Sequence, residues 1–333
     1  MIKYLGSKRV LVPALVEQVR SLPDVRTFFD VFSGTARVGH AMKEAGLRVR
    51  ANDHNAYAQV LAQCYVAADR DELGPPMERL LPELQALPPR AGYITHTFCE
   101  QARFFHPNNG ARIDAIRDHI EALDLPPALR AVALVSLMEA ADRVDSTTGV
   151  QMAYLKQWAP RAHNDLELRM PRLLPGPGDA HGLDALEAVQ RYEADVVYLD
   201  PPYNQHSYLG NYHVWETLVR WDAPVAYGVA KKRLDCKTRR SPFNSKRKIH
   251  EAMQQVVRAV QARWLLVSFS NEGYISRDEM LAILSERGPV EVQEIAHDRY
   301  VGAKIGIYNL EGRKVGRVGH LKNVEYLFRV RCG

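Results

Sequence analysis

Closely spaced cysteines are missing from this chain of 333 residues. The four present, Cys64, Cys99, Cys236 and Cys332, stand far apart, and no pair has the spacing of a zinc knuckle or a redox couple. That argues against a structural metal or a disulfide framework and suits a reducing cytoplasm. Apolar runs long enough to span a bilayer are also absent. The first residues, Met1-Ile2-Lys3-Tyr4-Leu5-Gly6-Ser7-Lys8, lack the apolar stretch of a secretory leader. A cytoplasmic protein with no membrane partner is the expectation. Internal repeats and low-complexity tracts are missing too. A strong charge of one sign is lacking: the formal net charge is +5, which excludes a uniformly basic coat but allows a local basic patch. What is present is the composition of an ordinary globular protein, long enough for one large core or one core with a satellite.

The hydrophobic pattern opens with a strand over Thr27–Phe32 and the small, polar turn Ser33-Gly34-Thr35-Ala36. A helix follows over Arg37–Ala45, closed by Gly46, and a second strand over Leu47–Ala51 ends in Asn52-Asp53. This is a parallel βαβ unit. From about 68 to 175 the pattern is helical and punctuated by Gly74-Pro75-Pro76, Leu87-Pro88-Pro89 and Leu125-Pro126-Pro127, with the clearest helix over Ala128–Val144. Strands return at Asp195–Leu199 and Trp264–Phe269, both almost wholly apolar and so buried on two faces. Val290–Ile295 and Val324–Val330 alternate and are expected to pair, the first as an edge strand. The sum is an α/β fold, a doubly wound, mostly parallel sheet with an antiparallel C-terminal hairpin and a helical insertion. Residues 1–67 and 176–333 would form the catalytic domain, and 68–175 the insertion.

Ligands of doubly wound sheets bind beyond the carboxyl ends of the strands. The first strand ends in Asp30-Val31-Phe32-Ser33-Gly34-Thr35, and a carboxylate, Asp53, ends the second about 20 residues on, where it can accept ribose hydroxyls. One glycine stands where a pyrophosphate-binding turn has three, so a nucleoside without phosphates, such as S-adenosyl-L-methionine, fits better. A plain tight turn with a capping aspartate accounts for the same residues.

Asp200-Pro201-Pro202-Tyr203 follows the buried strand Asp195–Leu199 directly. Two prolines fix two φ angles and remove two donors, so the carboxylate and the ring are held stiffly at the strand's end. Asp200, or the carbonyl after it, can accept hydrogen bonds from an amine, and Tyr203 offers a face for a planar base. An amine conjugated to a purine is a poor nucleophile, and acceptors around it favour the pyramidal form whose lone pair can attack a methyl donor. A strand-terminating loop is the bland alternative.

Several separate words, in order, make the chain resemble the D12 class of N6-adenine DNA methyltransferases, the Dam-like group. Tyr4-Leu5-Gly6-Ser7-Lys8 is similar to the family's N-terminal cofactor motif, Phe32-Ser33-Gly34-Thr35-Ala36 to its glycine-rich motif, and Asn52-Asp53 to its ribose acid. Gly178-Asp179-Ala180 resembles the segment that meets the cofactor adenine, and Asp200 to Tyr203 resembles the catalytic motif. Asn211 to Thr217 and Ser268 to Gly273 resemble later segments. Ala36 departs from the family, which usually has a second glycine there. The resemblance implies that Tyr4, Gly6, Ser7, Lys8, Asp30, Ser33, Gly34, Thr35, Asp53, Asp179, Ala180 and Asp200 bind S-adenosyl-L-methionine. It also implies that Asp200, Pro201, Pro202 and Tyr203 carry catalysis, and that the insertion recognises the target. By this reading Lys8 meets the methionine carboxylate at the start of a helix over Arg9–Arg20.

An adenine in duplex DNA must leave the stack to be methylated, which requires contacts to phosphates. Lys231, Lys232, Arg233, Lys237, Arg239, Arg240, Lys246, Arg247 and Lys248, with Ser241, Asn244 and Ser245 as neutral donors, form the strongest basic run, and it lies between two central strands. Such a run is also what a solvated face looks like. Arg143, Thr147, Thr148, Lys156, Arg161 and Asn164 form a weaker candidate, and Arg313 to His320 reads as a basic hairpin turn. The expected partners are double-stranded DNA and, functionally, a restriction endonuclease counterpart, with the protein a monomer or weak dimer. No metal is expected. Methylation of cytosine N4 or of an RNA amine uses the same chemistry, though Asp at the head of the word leans to adenine. A catalytically inactive DNA-binding subunit is a third reading.

Overall fold

Phe28 and Phe29 are neighbours in the chain but belong to two different hydrophobic cores, because successive side chains of a strand point to opposite faces of its sheet. The same alternation sends Val196 and Tyr198 one way and Val197 and Leu199 the other. Both faces of the central sheet are thus buried, as the near-continuous apolar runs required. The computed structural model describes residues 1–6, 8–298, 307–308, 314–316 and 322–333.

Seven strands build this sheet: β1 (Thr27–Asp30), β2 (Arg48–Asn52), β3 (Gly178–His181), β4 (Ala194–Leu199), β5 (Ala262–Ser270), β6 (Val290–Asp298) and β7 (Lys322–Arg331). Their order is β3-β2-β1-β4-β5-β7-β6. The first five are parallel, while β7 runs antiparallel to both β5 and β6, with Val324 opposite Ala296. This is the doubly wound sheet with an antiparallel C-terminal pair. The strand order reverses between β1 and β4, so their carboxyl ends flank a crevice. Strand β3 carries no apolar run (its sequence is Gly-Asp-Ala-His), which is why its pattern did not announce a strand.

On one face lie α1 (Val12–Arg20), α2 (Arg37–Glu44), α3 (Ala56–Ala62), α4 (Arg70–Ala86), α5 (Pro107–Ala122), α6 (Pro127–Arg143) and a helix over His213–Arg220. The other face is covered by helices over Ala185–Arg191, Ile249–Ala259 and Arg277–Ser285. Segment 68–175 is helical as expected, and its one bridge, Asp69 to Leu174, only joins its two ends. Its core is continuous with the sheet: Leu134, Val135 and Met138 share one cluster with Phe28, Val49 and Leu266. Pro75, Pro76 and Pro82 do not end a helix, since α4 runs through all three. Their missing donors forfeit bonds only to the carbonyls one turn back, on a helix with an exposed side. Among the described residues no helix is long and apolar enough to cross a membrane.

Candidate active site

A cleft opens at the strand-order reversal. Its wall takes Asp30, Ser33, Gly34 and Thr35 from the end of β1, Asn52 and Asp53 from β2, and Asp200 and Pro202 from the end of β4; Tyr4, Gly6 and Lys8 close one side. Residues more than 190 positions apart in sequence are brought together because parallel strands deliver all their carboxyl ends to one edge.

Gly34 shows why the first turn needs glycine. Its φ is +51°, and a Cβ there would lie 3.3 Å from the Tyr4 ring. Asp53 Oδ2 accepts the Gly34 amide at 3.1 Å, while Oδ1 accepts the Asn55 amide at 2.9 Å. The turn and the end of β2 are therefore locked together. Asn52 adds a second lock, donating to the carbonyls of Val31 and Leu183. Ala36, where a second glycine was expected, also sits in the left-handed region, at φ +59°.

Buried polar atoms in the wall have no protein partner among the described residues: Asp30 Oδ1, Ser33 Oγ and Arg37 Nε. Asp30 accepts the Gly39 amide through its other oxygen, at 3.3 Å. Burial, with Asp200 and Asp53 nearby and only the Gly39 amide opposing, pushes its carboxyl up to about 8. Orphaned acceptors and a donor around a glycine cradle match a zwitterionic nucleoside such as S-adenosylmethionine, which brings an ammonium, a carboxylate and ribose hydroxyls.

Asp200 is held through one oxygen. Oδ1 lies 3.0 Å from Lys8 Nζ and accepts Ser268 Oγ at 3.0 Å, and Ser268 is in turn 2.6 Å from the Tyr198 hydroxyl. Among the described residues no hydrogen bond reaches Oδ2. Burial lifts the Asp200 carboxyl to about 6 against the pull of Lys8. Lys8 also pairs with Glu325 of β7. Burial opposes its charge, yet Asp200 and then Glu325 outweigh that and hold the ammonium well above its ordinary value. Lys8 is not at the start of an α-helix, contrary to expectation: Lys8–Val10 form a 3₁₀ turn and α1 begins at Val12, because Pro13 suits a first turn. The Tyr203 ring packs on Phe269 at 5.5 Å between centroids and has Lys8 Nζ 5.9 Å away; neither it nor Pro201 is part of the cleft wall.

Three predicted positions fall elsewhere. Asp179 and Ala180 lie within β3, and the Asp179 carboxylate faces Arg48 and Arg50 at 3.7 and 3.4 Å; the wall on this side is Leu183 and Ala185. Ser7 lies outside the described residues. Arg233 is not a surface cation: it is buried and chelates Asp222 with two bonds of 2.6 and 2.7 Å while also meeting Asp235. The remaining members of the basic run divide into two kinds. Arg239 and Asn244 line the cleft as straps. Arg239 bonds Glu216 at 2.9 Å and the His54 carbonyl at 3.3 Å, and Asn244 holds the carbonyls of Asn204 and His206 at 2.7 and 3.1 Å. Lys237, Arg240, Lys246, Arg247 and Lys248 are exposed, and Lys231 and Lys232 half-buried. Lys237 lies 4.3 Å from the Tyr227 ring. In the weaker candidate, Arg161 and Thr147 turn inward to Asp145 and Arg143 bonds the Glu167 carbonyl. Arg313 to His320 lies outside the described residues apart from the strand Lys314–Gly316.

Sequence reasoning missed Tyr208, whose ring stacks on Tyr4 at 5.2 Å with an angle of 6° and lines the cleft. It sits five residues past the Asp-Pro-Pro-Tyr word, at the start of the one-turn helix Tyr208–Asn211, which is too short for periodicity to flag it. Glu325 was read only as part of an alternating strand.

A family model for the D12 class N6 adenine-specific DNA methyltransferase matches residues 4–283. The modification methylase StsI of Streptococcus sanguinis is 30% identical over 320 residues, covering 90% of this chain and 48% of that protein. The type II methyltransferase M.NlaIII of Neisseria lactamica is 30% identical over 317 residues, covering 90% of this chain and 93% of its own length. M.FokI of Planomicrobium okeanokoites is 28% identical, with 88% of this chain and 48% of the relative covered. The chain thus spans about half the length of two of these relatives and nearly all of the third.

Proposed function

Since this chain belongs to the D12 class N6 adenine-specific DNA methyltransferase family, we propose that it transfers a methyl group from S-adenosyl-L-methionine to the N6 amine of an adenine extruded from double-stranded DNA, within a site-specific modification system. The observation that carries this reading is Asp200, pinned at Oδ1 by Lys8 and Ser268, with Oδ2 left to the cleft.

When bound, the cofactor supplies an electrophilic methyl group on a sulfonium. The chain's own groups prepare the nucleophile. Asp200 Oδ2 accepts a hydrogen bond from the amine and draws its lone pair out of conjugation with the ring, while Lys8 keeps Oδ1 from turning away. With a carboxyl near 6, Asp200 is ionised at neutral pH and accepts hydrogen bonds. The proton shed by the methylated amine leaves past Asp200 to solvent. Asp30, Ser33, Gly34, Thr35 and Asp53 hold the nucleoside and methionine ends, with Leu183 packing the cofactor base. Tyr203 offers a stacking face to the extruded base, which offsets part of the cost of a few kcal/mol of unstacking.

Phosphate contacts fall to the exposed cations Lys237, Arg240, Lys246, Arg247 and Lys248. Segment 68–175 supplies target recognition, as a helical layer built onto the sheet's own core. Replacing Asp200 with Ala is expected to abolish methyl transfer to DNA while leaving the thermal melt within a few degrees of wild type. Undiminished transfer by that variant would overturn the mechanism.

A further inference from the structure

Lys8 is a buried cation shared by two carboxylates, and only one of them reaches the cleft. Its ammonium lies 3.0 Å from Asp200 and also pairs with Glu325, whose side chain is 5% exposed. Asp200 lines the cleft and Glu325 does not. Glu325 stands on β7, opposite Ser270 of β5, and the family match ends at residue 283, so no motif assigns it a role. One carboxylate would have sufficed to neutralise Lys8. The second leaves the group of three with a net charge of −1 at the floor of the site.

We infer that Glu325 is a positioning residue that acts through Lys8 to set the charge of the cofactor site, so that the site prefers the cationic methyl donor to its neutral demethylated product. The inference rests on the reading of the cleft as an S-adenosylmethionine site. S-adenosylmethionine and S-adenosylhomocysteine share every hydrogen-bonding group and differ by one methyl and one positive charge at sulfur. A pocket that recognised only ribose, base and methionine ends would hold both alike and be blocked by its own product. A floor carrying a net negative charge attracts the sulfonium and gains nothing from the thioether. Asp53, Arg37 and Arg239 also line the cleft, and Asp30 is held protonated there at neutral pH. These groups act on both ligands in every variant and cancel when the ratio of the two affinities is compared between variants. The Lys8 partnership adds position to charge. Paired with Glu325 as well as with Asp200, the ammonium is held beside Oδ1 of Asp200 and is less free to turn toward the sulfonium.

The test is calorimetric titration of the full chain, without DNA, with each of the two compounds. In E325Q the side chain keeps its shape and still accepts from Lys8, but the charge is gone. Removing one unit charge from a partly buried site, at an effective dielectric near 20, changes an ionic equilibrium by about tenfold at separations on the order of 10 Å. E325Q is therefore expected to bind S-adenosylmethionine about tenfold more weakly and S-adenosylhomocysteine within about twofold of wild type. E325D, which restores the charge, is expected to restore most of the preference. Affinities that fall in step for both compounds would show a merely structural role and overturn the inference, as would an unchanged ratio. Wild-type protein that binds neither compound would instead overturn the reading of the cleft itself.

Discussion

Asp200 and Asp30 are both carboxyls lifted above their ordinary range, but they ask for different experiments. Asp200, near 6, must be ionised to accept the amine. Methyl transfer is therefore expected to fall as pH drops through about 6, roughly tenfold for each unit below it, and a rate profile flat from pH 7 to 5 would remove Asp200 from the step. Asp30, near 8, is protonated in the folded protein at neutral pH while the unfolded chain ionises there near its ordinary value. The stability this contributes is fully present in acid and is lost as pH rises through 8, by about 1.4 kcal/mol for each unit over which only the unfolded state is ionised. Replacing Asp30 with Asn removes the penalty. The melting temperature of the cofactor-free variant should gain on that of wild type as pH is raised from 5 to 9. Parallel curves would mean that Asp30 is not held neutral. Ala36 adds a smaller effect at this scale: alanine at φ +59° costs about 1 kcal/mol, and Ala36→Gly should recover part of it in a denaturant melt.

The loop from Lys231 to Lys248 behaves as two parts. Its inner residues are structural. Arg233 is buried against Asp222 and Asp235, so Arg233→Ala should cost about 1.5–3 kcal/mol of stability and leave the salt dependence of DNA binding unchanged. Its outer residues are assigned to the polyanion. Replacing Lys246, Arg247 and Lys248 with Gln should flatten the slope of log affinity against log salt by about 0.9 for each phosphate no longer neutralised, with no change in the melt. A slope that changes in Arg233→Ala but not in the triple variant would reverse this assignment. Much of this scale was legible in advance. The strands ending in Asp30 and Asp53, the buried strand before Asp200 and the alternating C-terminal pair all follow from apolar runs of the right period. Other features were not legible for physical reasons. A basic run looks the same in sequence whether its arginines face water or chelate Asp222, since the partner lies outside the run. Strand β3 owes its place to its neighbours, Arg50 pairing beside Asp179, and not to an apolar pattern of its own. The prolines of α4 marked breaks that the helix passes through.

At the scale of the molecule, the helical segment and the sheet share one core, and that explains why the site tolerates a floor of buried charge. Tyr198 and Leu266 of the sheet pack in the same cluster as Leu134 and Met138 of α6, so the strand ends that carry Asp30 and Asp200 are fixed from below. Excision of 68–175 would expose that face, and the remaining chain is expected to lose its cooperative melt, as circular dichroism would show; a shortened chain that melts cooperatively would mean two independent units. Charge also has a molecular reading. The formal +5 is modest, and the proposed duplex binding rests on a few exposed cations instead of on a basic coat. The central claim is about one atom of the substrate. Duplex DNA incubated with the protein and isotopically labelled S-adenosylmethionine, digested to nucleosides and read by mass spectrometry, tests it directly: the account predicts label in the N6-methylated deoxyadenosine of DNA, whereas label in N4-methylated deoxycytidine or in RNA nucleosides, or none in either, would contradict it.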